Sequence, residues 1–421
     1  MIPEAHSVAE SVFRQESGRI AATLIRISGS FDRAEEAMQE AFASALASWP
    51  ERGIPQNPAA WITAAAHRKL IDRSRREKTH LDHEDSIRYH AETVTPPAGH
   101  NLNDDQQDMH LQDDRLRLIF TCCHPALRPE AQVSLTLKTL GGLTTAEIAK
   151  SFFIPEATVA QRIVRAKRKI EEARIPYEVP SAERLPERLA AVRAVIYLIF
   201  NEGYLSTAGD RLIRTDLCAE AIRLARVLCE LLIDVPENQG LLALMLLHDS
   251  RRDARANAAG ELVPLEEQDR SLWHRGQIYE GLRLVEQALK AGAAGPFQIQ
   301  AAIAAVHAEA VIAGETDWAQ IAALYGELQR FQPSAVISLN RAVAIAMSEG
   351  LEKGLELIDS LQAAPEFQSY YLYHAARADI LRRIGNYAEA LKDYRLALAL
   401  AGNSVEQRYL QRRISELILF G

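Results

Sequence analysis

The sequence is poor in several features that define whole classes of protein. It has four cysteines among 421 residues, too few for a disulfide framework, which indicates a reducing compartment such as the cytoplasm. Aromatic residues make up only 6% of the chain, and the alternating apolar pattern of strands is missing. No apolar run approaches the roughly 18 residues of a membrane span, and the first residues lack the basic and then apolar pattern of a secretory leader. These absences predict an all-α cytoplasmic protein with no membrane partner.

Signs of covalent chemistry are missing as well. The sequence contains no nucleophile–base pair, no metal-ligand spacing and no glycine-rich phosphate loop. We therefore predict that the protein is not an enzyme and has neither a metal site nor a cofactor. Neighbouring Cys122 and Cys123 point in different directions on a helix and suit no tetrahedral metal site. They, like Cys218 and Cys229, are expected to be small buried core residues.

The net charge of −8 is unevenly distributed along the chain. An acidic protein is ordinarily a poor partner for DNA, but here the total hides two basic modules. The acidic stretch between them contains Pro96-Pro97 and little apolar periodicity, which predicts a flexible linker. The formal net charges by segment are +1 for residues 1–79, −8 for residues 80–114, +6 for residues 115–175 and −7 for residues 176–421.

The first module is predicted to be a bundle of helices. Phe31–Trp49 has the pattern of an amphipathic helix, with Asp32 as its expected N-cap, and it is expected to stop at Pro50. Residues 51–60 contain further prolines and are predicted to form a loop. A second helix is predicted over residues 61–78, and it carries the basic residues Arg68, Lys69, Arg73, Arg75, Arg76 and Lys78.

The second module has the pattern of a helix-turn-helix. Residues 143–151 predict a short helix, with Thr144 or Thr145 as its cap and Glu147 placed for a capping box. After a tight turn, a basic helix is predicted over residues 156–173. Two short helices of this kind place the second one in the major groove of DNA. The apolar residues expected on the buried face of the second helix are Val159, Ile163, Ala166 and Ile170.

The opposite face of this second helix presents polar and basic side chains. Gln and Arg can bond bidentately to adenine and guanine edges, and the other cations suit phosphates. A solvated amphipathic helix would also be basic, but the helix-turn-helix pattern and the charge of +6 favour DNA binding. The candidate residues are Thr158, Gln161, Arg162, Arg165 and Lys169.

The loop before the first basic helix has two interpretations. Trp61, with Gln56 and Asn57 nearby, has the chemistry to stack on an unstacked base and hydrogen-bond it. Trp61 is equally well explained as an apolar anchor of the core. The sequence leaves both interpretations open.

Residues 187–421 contain an internal repeat. The run Gly385-Asn386-Tyr387-Ala388-Glu389-Ala390-Leu391 has the pattern of the second helix of a tetratricopeptide unit. The pattern recurs upstream, because Trp318 and Tyr387, and likewise Tyr325 and Tyr394, are 69 residues apart. Stacked helix pairs of this kind form a curved solenoid whose concave face binds a peptide or another domain.

These motifs resemble those of a known family. Region 2 of bacterial sigma factors of the extracytoplasmic-function type is similar to Asp32-Arg33-Ala34-Glu35-Glu36-Ala37-Met38-Gln39-Glu40-Ala41-Phe42, Pro58-Ala59-Ala60-Trp61-Ile62 and Ala66-His67-Arg68-Lys69-Leu70-Ile71-Asp72-Arg73. Region 4 of the same family resembles Leu143-Thr144-Thr145-Ala146-Glu147-Ile148-Ala149 together with Pro155-Glu156-Ala157-Thr158-Val159 and Arg162-Ile163-Val164-Arg165-Ala166. The C-terminal repeats resemble the subgroup that carries a tetratricopeptide-like extension.

The resemblance implies an architecture and a set of partners. The partners would be promoter DNA and core RNA polymerase, the latter contacted at its β′ clamp and β flap. The repeat domain would contact the sigma regions in cis or hold an unknown protein or peptide. The implied segments are a region 2 helical bundle over 1–79, the acidic linker over 80–114, a region 4 helix-turn-helix domain over 115–177 and a tetratricopeptide-like domain over 187–421.

The resemblance also implies roles for individual positions. The polymerase clamp would be bound by Asp32, Glu36, Gln39, Glu40 and Phe42. The promoter −10 element would be captured and melted by Gln56, Asn57, Trp61, His67, Arg68, Lys69, Arg73, Arg75 and Arg76. The −35 element would be contacted by Lys138, Thr158, Gln161, Arg162, Arg165 and Lys169. Two positions depart from the family pattern: Ala160 stands where a base-reading arginine is common, and His67 stands where asparagine is common.

The predicted function is therefore that of a sigma factor, which binds core RNA polymerase and directs promoter recognition and transcription initiation, with the repeat domain regulating its activity. The alternative is a tetratricopeptide scaffold whose helix-turn-helix acts as a DNA-binding activator or repressor without replacing sigma. The helix predicted over Phe31–Trp49 favours the first interpretation, because a scaffold has no need of a polymerase-docking helix.

Overall fold

A computed structural model describes residues 2–84, 114–152, 154–204, 214–257, 261–292, 294–364, 367 and 370–420. Over these ranges the chain is helical apart from loops, turns, short 3-10 segments and one isolated β-bridge between Ala256 and Leu262, which confirms the all-α prediction. Most of the predicted linker, residues 85–113, lies outside the described residues. The chain divides into two compact units, Met1–Val195 and Ile196–Gly421.

The helices of the first unit are numbered in chain order, and the last of them, α8, crosses the division between the units. Their bounds are α1 Ile2–Ser28, α2 Phe31–Arg52, α3 Pro58–Glu84, α4 114–122, α5 Pro129–Thr139, α6 Thr145–Ser151, α7 Glu156–Glu172 and α8 Leu185–Tyr204.

Helix α2 differs from its prediction at both ends. Its N-cap is Ser30, whose hydroxyl accepts a hydrogen bond from the Arg33 N–H at 3.4 Å, so the prediction of Asp32 as cap was wrong. Asp32 lies in the first turn, where its charge complements the helix dipole. The helix also continues through Pro50 and ends before Gly53, whose φ is 87°. Pro50 is tolerated because it lies in the last turn, where it removes a single helical hydrogen bond.

Helix α3 begins three residues earlier than predicted, at Pro58 rather than Trp61. Proline suits the first helical position because its missing N–H would have no partner there. Asn57 supplies the cap, since its Oδ1 accepts a hydrogen bond from the Ala60 N–H at 3.0 Å. Among the side chains of α3 that the structure describes, the buried ones are Ile62, Ala66 and Leu70.

The helix-turn-helix prediction is confirmed in detail. Thr144 caps α6, and its hydroxyl accepts from the Glu147 N–H at 3.1 Å. The Glu147 carboxylate in turn accepts from the Thr144 N–H at 2.8 Å, which completes the predicted capping box. After the turn, α7 buries the four predicted residues Val159, Ile163, Ala166 and Ile170.

Helix α1 packs closely against the second module. A Cβ on Gly18 would approach the Leu140 carbonyl oxygen to 2.8 Å, and a Cβ on Gly142 would approach the Ser17 hydroxyl to 2.5 Å. Gly142 also has a φ of 66°, a left-handed conformation that favours glycine. The two basic modules therefore form one compact unit, with α1 between α2 and the turn before α6.

The second unit is built of helices that pack against their neighbours in the chain. Three consecutive hairpins are formed by α12 with α13, α14 with α15, and α16 with α17. The last helix, α18, packs on α17. The bounds are α9 Thr215–Leu231, α10 Pro236–Asp249, α11 Arg275–Lys290, α12 Pro296–Glu309, α13 Trp318–Phe331, α14 Ala335–Glu349, α15 Leu351–Ser360, α16 Tyr371–Ile384, α17 Tyr387–Leu400 and α18 Ser404–Phe420.

The 69-residue spacing corresponds to equivalent helices. Helices α13 and α17 begin at Trp318 and Tyr387, and each is 14 residues long. The preceding residue caps both of them, because the side chains of Asp317 and Asn386 accept hydrogen bonds from the backbone N–H three residues on. Helix α13 packs against α12 before it, and α17 packs against α16 before it.

The cysteines behave as core residues. Cys122, Cys123 and Cys218 are buried and Cys229 is half-buried, and burial raises the pKa of all four thiols. In the part of the chain that the structure describes, no three His, Cys, Asp or Glu side chains are grouped as metal ligands would be. Among the same residues, no helix is both long and apolar enough to cross a membrane.

Candidate nucleic-acid interface

The outer face of α7 is a strip of polar and cationic side chains. Gln161, Arg165 and Lys169 are exposed, while Thr158 and Arg162 are half-buried beside them. Within the described ranges, no acidic residue forms an ion pair with Arg162, Arg165 or Lys169. The strip lies directly opposite the buried apolar stripe, so the helix-turn-helix packing turns it toward solvent. Its amide and guanidinium groups are the donors that base edges and phosphates accept.

The basic face of α3 has a different environment. Arg73 forms an ion pair with Glu36 of α2, and the Lys69 ammonium lies 3.6 Å from the Glu40 carboxylate. The candidate DNA-binding cations therefore pair with two of the candidate polymerase-binding acids. Arg68 and His67 are exposed. The side chains of Arg75 and Arg76 lie outside the described residues.

Two candidate −10 residues in and after the loop between α2 and α3, Asn57 and Trp61, make contacts that stabilise the fold. Asn57 caps α3, as described above, and Gln56 is exposed. The Trp61 ring packs edge-on against Trp49, with the ring centroids 5.6 Å apart. Because Trp49 is 2% exposed, this contact anchors Trp61 to the core. Trp61 itself is only half-buried, so part of its surface also faces solvent.

A cluster of four charged residues joins the two modules. The Lys167 ammonium of α7 donates to the Asp32 carboxylate at 2.8 Å and to the Glu35 carboxylate at 2.7 Å. Lys138 of α5, a candidate −35 residue, approaches Glu35 to 3.5 Å. Arg26 of α1 forms a second link, since its Nε donates to the buried Asp114 carboxylate at 2.8 Å.

The pKa values of the cluster reflect these contacts. Burial alone would raise the pKa of Glu35, but the hydrogen bond and charge of Lys167, with the charge of Lys138, lower it below its ordinary value. Burial alone would lower the pKa of Lys167, but its bonds to Asp32 and Glu35 raise it. Both groups are therefore charged at neutral pH, and the link between α2 and α7 is ionic.

The candidate polymerase-binding residues all lie on α2. Glu36, Gln39 and Glu40 are exposed, whereas Phe42 is half-buried and packs edge-on against Phe13 of α1 with ring centroids 5.2 Å apart. Asp32 is exposed but engaged by Lys167. The sequence did not single out Lys167 or Glu35 because their partners lie more than 130 residues away along the chain.

Comparison with known proteins defines the class. The family described as Sigma-70 region 2 matches residues 12–80, and Sigma-70, region 4 matches residues 117–170. A third family, of unknown function (DUF6596), matches residues 188–289. The two sigma regions indicate an RNA polymerase sigma factor, and the sigma factor families are non-enzymatic DNA-binding initiation factors.

One relative matches nearly the whole chain. Uncharacterized protein R00370 of Rhizobium meliloti (strain 1021) is 42% identical over 403 residues, which cover 94% of this chain and 92% of the relative. The similarity therefore extends over the second unit as well as over the two sigma regions.

Proposed function

We propose that the protein is a sigma factor of the extracytoplasmic-function type that binds core RNA polymerase in the cytoplasm, reads the −35 element with α7 and opens the −10 element with α3. The observation that carries this proposal is the outer face of α7. A capped helix-turn-helix presents there a strip of donors that have no acidic partner among the described residues, which is the arrangement that recognition of a major groove requires.

The −10 element would be engaged by α3 and the loop before it. Lys69 and Arg73 have to leave Glu40 and Glu36 before they can contact phosphates. The same movement frees the two carboxylates for the polymerase clamp. DNA binding and polymerase binding by this module are therefore expected to assist each other, because each removes a competing internal ion pair.

The charged cluster gives the first unit a closed arrangement. With Lys167 bonded to Asp32 and Glu35, the outer face of α7 and the polymerase face of α2 are held on one compact body. The −35 and −10 elements are centred about 25 base pairs apart, which is roughly 85 Å along B-DNA. Two helices in direct contact cannot reach both elements at that distance. We infer that the α2–α7 link opens when the polymerase and the promoter are bound.

The second unit is proposed to be a tetratricopeptide-like domain that regulates the sigma regions. Its hairpins and its 69-residue helix repeat support the first part, and its net charge of −7, opposite in sign to that of the basic modules, supports the second. To test regulation, residues 205–421 would be deleted and promoter-driven transcription compared with the full chain. The cut is placed after α8 because Arg188 of α8 donates to the Phe120 carbonyl at 2.5 Å within the first unit. Unchanged transcription would contradict a regulatory role.

In vitro transcription tests the main proposal. Purified chain is added to core RNA polymerase and a library of promoter sequences, with no other sigma factor present. We expect specific start sites and an enriched pair of sequence elements. The alternative, a scaffold that binds DNA without replacing sigma, predicts DNA retention without initiation, and that outcome would contradict the proposal.

A further inference from the structure

The second unit contains a groove that the sigma role does not explain. A cavity of about 450 Å³ lies between the segment after α10 and helices α16 and α18. Two aromatic rings, Trp318 and Tyr409, form part of its wall. Its charged lining includes Asp379, Arg382, Arg383 and Arg413.

An acidic segment of the chain lies along this cavity. Residues 261–267, here called the acidic strap, place Glu266 at 2.7 Å from the Arg383 guanidinium. Glu267 forms an ion pair with Arg413, and Glu261 lies 3.5 Å from Arg412. Three carboxylates of one short segment thus meet three guanidinium groups on two helices.

The arginines of α16 and α18 and the carboxylates of the acidic strap differ in how they are held. The guanidinium groups are fixed by helix neighbours: Arg383 also bonds Asp379 at 2.7 Å, and Arg413 also bonds Glu416 at 3.0 Å. The Arg413 side chain is only 13% exposed, whereas that of Glu267 is 49% exposed. The arginines are therefore set into the helix surface, and the carboxylates approach them from outside.

The strap itself is held by local hydrogen bonds, at its ends, and by packing of residues 265–267 against residues 313–315. The Glu267 N–H donates to the Pro264 carbonyl at 2.9 Å, and the Val263 N–H donates to the Arg255 carbonyl at 2.9 Å. Downstream, Arg270 donates to the carbonyls of His307 and Ala310. The described contacts to α16 and α18 are ion pairs of partly exposed carboxylates, which contribute little stability each and exchange readily with other carboxylates.

We propose that this groove is a binding site for an acidic peptide segment of a partner protein, and that in the free chain the acidic strap forms one wall of the groove and pairs with its arginines as a built-in substitute for that segment. The partner segment carries two neighbouring carboxylates, which replace Glu266 and Glu267 on Arg383 and Arg413. Its apolar side chains contact Trp318 and Tyr409. A peptide is favoured over a small anion because the arginines are now paired with a short acidic segment of the chain that reaches two helices.

The proposal is tested by peptide binding to the full chain, independently of transcription. The probe is a fluorescein-labelled synthetic peptide with the sequence of residues 261–269, and its control has Gln in place of the three Glu residues. Fluorescence anisotropy measures its affinity for the wild type and for the double variant E266Q/E267Q. We expect the variant to bind the probe at least about tenfold more tightly, because the substitution raises the fraction of chains with an open groove.

Further variants decide whether the arginines form the site. Adding R383Q and R413Q to E266Q/E267Q should abolish binding, whereas adding R395Q, an exposed residue of α17, should leave it unchanged. Circular dichroism melts confirm that each variant is folded.

Equal binding of the acidic and Gln peptides to the folded E266Q/E267Q chain would overturn the proposal. Equal binding of the acidic peptide to wild type and E266Q/E267Q would overturn the role of the strap. Failure of the transcription experiment would affect neither result.

Discussion

The basic face of α7 and the basic face of α3 differ in their acidic neighbours. On α7, Arg162 and Arg165 have no acidic partner among the described residues. On α3, Arg73 and Lys69 are paired with carboxylates of α2. When an unpaired cation binds a phosphate, the release of DNA counterions contributes fully to the binding free energy. A cation in an internal ion pair must first break that pair, which lowers its net contribution. If the proposed function is correct, Arg162 and Arg165 can bind DNA without losing an internal ion pair, whereas Lys69 and Arg73 of α3 first have to leave the carboxylates of α2.

The largest effect is expected on α7. The double variant R162A/R165A should lower the affinity of the holoenzyme for its selected promoter duplex about 100-fold, since each such arginine is worth about 1–3 kcal/mol. Fluorescence anisotropy at fixed salt measures this loss.

Arg168 provides the matched control on the same helix, because its guanidinium bonds Glu172 at 2.6 Å. R168A should change the affinity no more than about twofold. A loss with R168A as large as that with R165A would contradict the distinction between paired and unpaired cations.

The next largest effect concerns the closed arrangement. Lys167→Met removes both bonds to α2, so it should shift the balance between closed and open forms by about 5- to 30-fold, or about 1–2 kcal/mol. Distances between spin labels on α2 and α7 would lengthen, and the free chain would bind duplex DNA more tightly.

The pH response of this link has a defined sign. Because the pKa of Glu35 is lowered, its contribution to the stability of the α2–α7 link is complete above pH 4.5 and is lost as the pH falls further. The raised pKa of Lys167 makes its contribution complete below pH 10.5 and lost as the pH rises further. Between these limits the distance distribution of the wild type should respond to salt and not to pH. A pH-dependent opening near neutrality would contradict the ionic assignment.

A smaller difference is expected within α3. Arg68 has no acidic partner among the described residues, whereas Arg73 is bonded to Glu36. R68A should therefore lower the rate of promoter opening about five- to tenfold, and R73A only about two- to threefold. Permanganate footprinting of the melted strand measures both. The reverse order would show that the α2–α3 pair does not compete with DNA.

The smallest effect separates two roles of Asn57. Asn57→Asp retains the cap of α3, because aspartate caps as well as asparagine, but removes the amide donor proposed to read a base. N57D should leave the melting temperature unchanged and slow promoter opening about fivefold. N57A should additionally cost about 1 kcal/mol of stability. If N57D opens promoters at the wild-type rate, Asn57 is a cap only.

These contrasts show which features the sequence can reveal. The capping box of Thr144 and Glu147 and the buried stripe of α7 are local, since they depend on residues three or four apart, and both were predicted. The all-α class followed from composition and periodicity. The end of α2 was misplaced because Pro50 lies one turn from a helix end, where the cost of proline is small.

The remaining features depend on tertiary contacts. Asn57 has the same sequence pattern whether it reads a base or caps a helix, and only the start of α3 at Pro58 reveals the cap. The bonds of Lys167 to Asp32 and Glu35 join residues 135 and 132 apart, so no local pattern identifies them. The pairing of the acidic strap with α16 and α18 likewise requires the folded second unit.

The hydroxyl of Tyr177, in the loop after α7, lies 2.9 Å from the Ala22 carbonyl and 3.1 Å from the Asp114 carbonyl. The chain thus enters the second module and leaves it at one point on the surface of α1. Covalent continuity between α3 and α4 is therefore not what holds the two sigma regions together. A protease cut within residues 85–113 should yield two fragments that elute as a single species in gel filtration, and the two halves, expressed as separate polypeptides, should assemble in solution.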